Sequence, residues 1–384
     1  MDKPEWFFAY ILKVIKEQTK FIQVLDKLAL KYDSSHTDLS GLFILQIISA
    51  IDAKITKDLS KLTPSLLSNY IFESLKFDYS LKQLIQYKMK SSFDFFKSDV
   101  ISGWLEYLRA DFQSSLVMEL EKFAVEDYEG FPLYSSAIKL TDLFDVLSEN
   151  AKLVKHENIK ILLFNRVQLN LFEVFVHYKG FEETNVRLAI LYNSLIFLSE
   201  KLSFCQNSIE YLELDQYESR MQSINSEILS LCDELLEILA KSIASEFASL
   251  AYSYQQRRDE WNDPMEQSDI SAELYRPLLF LQQNFDTFHQ SLRGFDQLWR
   301  LVCPIIDEFL YENVVRRNKF TSIGIKRLQT DMNAFYQILK NQTKKPENWF
   351  RLMKESLLIL NDTGKDVDMR LTLEEIKDIS ARRL

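Results

Sequence analysis

At 384 residues the chain is long enough for two or three hydrophobic cores of roughly 150 residues each. Apolar residues make up 47% and charged residues 27%, which excludes a disordered chain, and a formal net charge of −10 argues against the basic face that nucleic-acid binding needs. Seven glycines and seven prolines are too few for the turns of a sheet protein or the loops of a phosphate site, and the periodicity is helical almost throughout, so the chain reads as all-α.

In chain order, Asp2 and Pro4 suit an N-cap and a first helical position, and Trp6, Phe7, Tyr10, Ile11, Val14 and Ile15 follow at helical spacing. Residues 32–37 read as a polar loop, residues 39–62 as a second helix, and Thr63-Pro64 as the cap of a third. Asp78 reads as the start of a further helix, and Ser98 or Asp99 as the start of one running through Trp104, Leu108, Phe112 and Leu116 to Phe123. Gly130-Phe131-Pro132, preceded by Glu126-Asp127, is the first clear break. Helices are expected near 134–154, 159–177 and 183–204, with Gly180 placed where a left-handed residue is wanted past a helix end.

Residues 218–259 read as one long helix with two apolar stripes side by side. Met221, Ile224, Ile228, Leu231, Leu235 and Ile238 form one, and Leu229, Cys232, Leu236, Leu239, Ile243, Phe247, Leu250 and Tyr254 form the other. Roughly 40 helical residues reach about 60 Å, which predicts an elongated body. Trp261-Asn262-Asp263-Pro264 is the second break. Helices near 269–289, 295–313, 323–340 and 347–360 and a short one near 373–379 follow, with a kink or restart predicted at Pro277 and Pro304. The expected organisation is three helical bundles, residues 1–129, 130–262 with the long strut, and 263–384, stacked end to end as a rod.

Candidate chemistry is sparse. Asp286-x-x-His289 puts two metal-type ligands on one helix face, but a metal needs three or four and no second such pair follows; a polar face explains them. His36, His156 and His177 read as structural or surface residues. No serine or cysteine sits in a glycine elbow, and no two glycines lie close enough to cradle a phosphate. The aspartate-rich helix motif of all-α terpenoid synthases is absent, Asp142 and Asp145 after Thr141 being the nearest pattern. Cys205, Cys232 and Cys303 are odd in number and set in apolar helical patterns, which fits buried thiols in a reducing compartment. No apolar run of about 20 residues is evident; the densest, residues 39–55, is interrupted by Gln46, Asp52 and Lys54. No enzyme, cofactor or metal is expected. The 28 Phe, 17 Tyr and 5 Trp are expected to fill helix-packed cores, a few of them remaining as exposed anchors.

From Phe309 onward the residue order becomes specific. Phe309-Leu310-Tyr311-Glu312-Asn313-Val314-Val315 leads through Asn318-Lys319-Phe320 to Gly324, then Leu328-Gln329-Thr330-Asp331-Met332 and Phe335. Lys344-Lys345-Pro346-Glu347-Asn348-Trp349-Phe350 follows, then Lys354-Glu355 and Leu358-Ile359-Leu360-Asn361. This run resembles the C-terminal module of the Tip-twenty/RINT family of vesicle-tethering subunits, with weaker echoes at Arg187-Leu188-Ala189-Ile190-Leu191-Tyr192-Asn193 and Pro4-Glu5-Trp6-Phe7. Pro346 suits a first helical position and Glu347 a first turn, and Trp349 and Phe350 are placed to staple that helix to Phe335 and Leu339.

The resemblance implies a helical rod, a place in the Dsl/NRZ complex on the cytoplasmic face of the endoplasmic reticulum, capture of Golgi-derived retrograde vesicles, and binding of the cytosolic N-terminal region of an ER SNARE. It implies sister tethering subunits as partners, joined through an N-terminal segment that finds no match here, so the chain reads as the middle and C-terminal part of a longer protein. A rod subunit of another tether, such as exocyst or a Golgi complex, and an all-α enzyme or ligand carrier are the alternatives. Nothing in the sequence singles out the protein-binding residues.

Overall fold

The structure, a computed structural model, describes residues 3–32, 39–59, 61–84, 96–154, 156–178, 180–181, 184–206, 218–258, 261, 269–361, 377–379 and 382. Asp2, His36, Asn262-Asp263-Pro264, most of the loop at 32–37 and most of the terminal helix lie outside them. The described chain is helical apart from one short hairpin, as the composition predicts. It divides into two compact units: Met1–Ala124 with Ser135–Lys179 and Lys201–Ile224, and Val125–Tyr134 with Gly180–Glu200 and Asn225–Leu384.

The first unit begins with α1 (Pro4–Tyr32), α2 (Leu39–Leu59), α3 (Pro64–Leu84) and α4 (Ser98–Leu120). Pro4 and Pro64 open their helices, and the amide of Leu66 donates to Thr63 Oγ1 at 3.4 Å, so the Thr-Pro signal is a true N-cap. Asp78 does not start a helix. It lies inside α3 between buried Phe77 and Leu81, where the continuous apolar face carries the helix past it. The inward face of α1 also differs from the expected one. Phe8 and Ile15 are buried, Phe8 meeting Tyr70 and Phe77 of α3 with ring centroids at 5.5 and 5.3 Å, whereas Trp6 and Tyr10 face solvent. Trp104 of α4 donates its indole N–H to Ser68 at 3.2 Å, which satisfies the one polar atom of a fully buried indole.

The unit continues through α5 (Ser135–Leu153), α6 (Glu157–Leu163) and α7 (Leu169–Val176). The helix expected over 159–177 is interrupted by a π turn at Phe164–Gln168, which swings Gln168 inward to donate to the Phe144 carbonyl at 3.1 Å and to Ser148 Oγ at 2.8 Å. Phe144 sits edge-on to Phe164 and Phe172, an aromatic core around which these helices close.

In the second unit, the expected break at 130–132 is a hairpin. β1 (Val125–Tyr128) pairs antiparallel with β2 (Phe131–Tyr134) around Glu129-Gly130, both at positive φ, and a two-stranded ribbon has an outer edge on which Pro132 needs no donor. Residues 185–200 of α8 (Asn185–Gln206) lie against it, with Ser194 Oγ accepting from the Tyr134 amide at 2.9 Å and Phe197 edge-on to Tyr128.

The strut is α9 (Glu218–Leu250), and it does not reach 259 as one helix. Ala251, at φ −83° and ψ 9°, breaks it before α10 (Tyr252–Gln256), and the re-aimed turn brings the Tyr254 hydroxyl to Asp331 at 2.9 Å. Its two stripes merge into one inward row, Met221, Ile224, Ile228, Cys232, Leu236, Leu239, Ile243 and Phe247, while Leu229 and Ile238 are exposed. The C-terminal helices are α11 (Ala272–Ser291), α12 (Phe295–Leu310), α13 (Ser322–Ile338) and α14 (Arg351–Leu360). Pro277 and Pro304 lie inside α11 and α12 without ending either, and α12 passes directly into a π turn at Tyr311–Val315. Phe247 meets Phe309 and Phe335 edge-on at the centre of this core.

Asn193 ties three pieces of the second unit together. Its fully buried amide donates to the Pro132 carbonyl at 3.1 Å and the Ser291 carbonyl at 2.7 Å, and its carbonyl accepts from the Arg293 amide at 3.0 Å. Next to it, the ring of Tyr192 fills the space where Gly294 would carry a Cβ. Asn193→Ala strands two carbonyls and one amide at roughly 1 kcal/mol each, so the variant is expected to lose about 2–4 kcal/mol in urea unfolding. Asn193→Asp is expected to rescue at most the bond from Arg293.

Candidate functional site

The residues with catalytic or metal-binding chemistry stay apart. Asp286 and His289 share the exposed face of α11, but His289 lies edge-on to Phe295 at 5.1 Å, and no group of three metal-type ligands comes together among the described residues. Asp145 pairs with Lys201 at 2.7 Å, and the buried Thr141 donates to the Ile138 carbonyl, so each has an ordinary structural partner. His177 Nδ1 caps the Glu173 carbonyl at 2.8 Å. Cys205, Cys232 and Cys303 are all buried, and burial pushes the first two thiols up to about 11 and about 12 and Cys303 higher still, so none presents a thiolate near neutral pH.

The C-terminal sequence pattern folds into a tightly satisfied core. Asp331 of α13 accepts from the Ser271 amide at 2.8 Å, the Ser271 hydroxyl at 2.7 Å and the Tyr254 hydroxyl, which caps the start of α11 from another helix. Burial raises its pKa, and these bonds pull it back. Asp307 of α12 does the same for α14, accepting from the amides of Leu352 at 2.8 Å and Met353 at 3.0 Å. Burial pushes its carboxyl up to about 6 against those two bonds. Asn318 donates to the Val314 carbonyl at 2.7 Å and accepts from Arg258, and Thr321 caps α13 by accepting from the Gly324 amide.

The Pro-Glu-Asn turn departs from the expected helix start. Pro346–Asn348 forms a single 3₁₀ turn, and α14 begins only at Arg351 because its first amides are turned toward Asp307. Phe350 stacks against Phe335 at 5.3 Å as predicted, but Trp349 packs edge-on to Trp299 at 4.9 Å, with the Arg300 guanidinium 5.3 and 5.7 Å from the two rings. The sequence signal for Asp307 is only a lone carboxylate amid Val302, Cys303, Ile306 and Leu310 on one apolar helix face.

What remains as a candidate site is surface. Among the described residues, exposed apolar side chains gather on α1 and the start of α2: Trp6, Tyr10, Phe21, Val24, Leu28 and Tyr32 with Leu42 and Leu45. The Asp26 carboxylate accepts from the Leu39 amide at 2.9 Å and the Ser40 hydroxyl at 2.6 Å, fixing the first turn of α2 beside the end of α1. Among the described residues, two helices, α2 and residues 185–205 of α8, reach the length and apolar content of a membrane span, where the sequence shows interruptions. Most of that α8 stretch is buried in the protein; α2 buries Ile44, Ile48, Ile51 and Ile55 and pairs Lys54 with Asp58 at 2.7 Å.

With its described residues almost purely helical, its polar constellations capping helices and its distinctive exposure apolar, the chain is an all-α protein. The family model described as RINT-1/TIP-1 family matches residues 1–382, and the chain belongs to that family. It is 23% identical over 396 aligned residues to a "RINT1-like protein" of Drosophila melanogaster, covering 94% of this chain and 54% of that protein. It is 26% identical over 138 residues to the "RINT1-like protein MAG2" of Arabidopsis thaliana, covering 35% of this chain and 17% of the relative. The chain thus spans about half the length of the fly relative. Its fold is similar to a chain of the crystal structure of the SNARE Sec20 bound to Dsl1 complex subunit Tip20, with a TM-score of 0.66 at 16% identity over 99% of this chain and 78% of that one.

Asp307 gives a pH signature. Its folded pKa of about 6 lies above the ordinary 3.8, so its contribution is full below the ordinary value and is lost as pH rises through about 6. Wild type is expected to gain about 2 kcal/mol relative to Asp307→Asn between pH 7 and pH 4, read from paired urea titrations. A difference that stays constant across that range would show that the carboxyl titrates normally.

Proposed function

We propose that this chain is a non-enzymatic subunit, or part of one, of a multisubunit tethering complex at the endoplasmic reticulum, where it binds the cytosolic region of an ER SNARE. The observation that carries the reading is family membership over residues 1–382 together with a fold similar over nearly the whole chain to a chain from the structure of a SNARE bound to a Dsl1 complex subunit. The reading extends to retrograde capture of Golgi-derived vesicles and a peripheral location on the ER membrane, with sister tethering subunits as further partners. The mechanism is scaffolding: cross-helix caps fix where helices begin relative to one another, and a helix of the SNARE packs into an apolar groove between helices.

The test is gel filtration of the 384-residue chain mixed with purified cytosolic domains of individual ER SNAREs. Co-elution with one SNARE, at an affinity of about 10 μM or better, is the expected result. Absence of a shift with every one of them, at concentrations well above that value, removes the SNARE-receptor role from these residues.

A further inference from the structure

We infer that the outward face of α1 is a docking seam for one amphipathic helix of a partner protein whose flanking positions are acidic. This does not rest on SNARE binding, since it concerns a surface defined by its own pattern. Phe7, Val14, Phe21 and Leu28 recur every seven residues along α1, and Tyr10, Glu17, Val24 and Lys31 recur at the same interval three residues later. That is the alternating three-and-four spacing of a coiled-coil seam, apolar at six of the seven positions from 7 to 28 and about 32 Å long. Most of the seam is not turned into the protein: Tyr10 is 68% exposed, Phe21 62%, Val24 54% and Leu28 47%, while Phe7 and Val14 are half-buried. The face one residue further on, Phe8, Ile15, Ile22 and Ala29, also repeats every seven residues, and it is the one packed inward, with Phe8 and Ile15 fully buried. One helix therefore carries two parallel seams, of which the fold uses one.

Charge identifies the occupant. Lys13, Lys20 and Lys27, all exposed, stand one residue before Val14, Phe21 and Leu28 and line one edge of the seam. The opposite edge, Ile11, Gln18, Leu25 and Tyr32, has no charge. A docked helix meets the lysine row with its own flanking positions, where glutamate or aspartate would pair. A second copy of this chain does not fit. Antiparallel pairing sets lysine row against lysine row, and parallel pairing sets lysines against the uncharged edge. A bilayer fits poorly as well, because Glu17 lies within the stripe and the chain carries a formal net charge of −10, which opposes an anionic surface. Glu17 in an otherwise apolar seam also serves to select a register, as a polar core position does in coiled coils.

The probe is a labelled peptide of about 28 residues, four heptads, with leucine at the two seam positions and glutamate at both flanks, compared with the same peptide carrying lysine at both flanks. Like-charged flanks keep either peptide from pairing with itself. With the full chain, fluorescence anisotropy is expected to give a Kd of roughly 1–10 μM for the glutamate peptide and at least tenfold weaker binding of the lysine peptide. The triple variant K13E/K20E/K27E is expected to reverse that preference, and Phe21→Asp with Leu28→Asp to abolish both, while far-ultraviolet melting curves stay those of the wild type because all five positions are exposed. Equal binding of the two peptides, or binding that survives the double aspartate variant, overturns the inference. Phe21-dependent sedimentation with phosphatidylserine vesicles and no preference between peptides would assign the face to a bilayer and overturn it too.

Discussion

A helix leaves its first amides without partners, and inside a protein each must find an acceptor. In this chain the problem is repeatedly solved across helices. Asp307 of α12 serves the first turn of α14, Asp331 of α13 serves Ser271 at the head of α11, and Asp26 near the end of α1 serves the head of α2. A cap borrowed from another helix does two things at once: it satisfies an orphan donor and fixes where one helix begins relative to another. Burying a carboxylate for this purpose is costly, as the upward pull on Asp307 and Asp331 shows. The return is definition, because an aliphatic contact tolerates a slip of an ångström and a two-amide clamp does not. Asn193, holding Pro132, Ser291 and Arg293, applies the same device without charge.

The helices themselves were legible because period and caps agree. Thr63-Pro64 opens α3, Pro4 opens α1, and the scarcity of glycine excludes extensive sheet. What periodicity cannot supply is the choice between two apolar faces on one helix. On α1 the Phe8 and Phe7 rows are offset by a single residue and both are apolar; Tyr70 and Phe77, more than sixty residues on, settle which turns inward. On α9 the same ambiguity gives two stripes, where the structure buries a single row drawn from both and leaves Leu229 and Ile238 outside. Asp78 had the chemistry of a helix start but was overruled by the apolar residues on either side of it. The hairpin is hidden because its strands are four residues long, without a buried residue on β1, and interrupted by Pro132, so no alternation accumulates.

The C-terminal sequence pattern illustrates a separation between what marks a family and what meets a partner. Asp331, Phe350, Phe320 and Met332 are almost completely buried, and Asn318 is spent on Val314 and Arg258. Each has an account in capping or packing. These buried members of the pattern therefore serve the fold, while Lys319, Lys344, Lys345 and Asn348 of the same pattern stay exposed.

That division of labour also bears on how such a chain can keep a long apolar row in view without pairing with itself. Exposed rows of this length invite self-association unless something discriminates against like pairing. On α1 the discriminator is asymmetric charge: a lysine row on one edge and none on the other make every symmetric pairing either repulsive or unassisted. Glu17 adds a desolvation cost to any partner that offers it only apolar surface. A seam that is apolar enough to bind, yet marked against its own copy, is what an interaction surface requires and what a mere packing face does not.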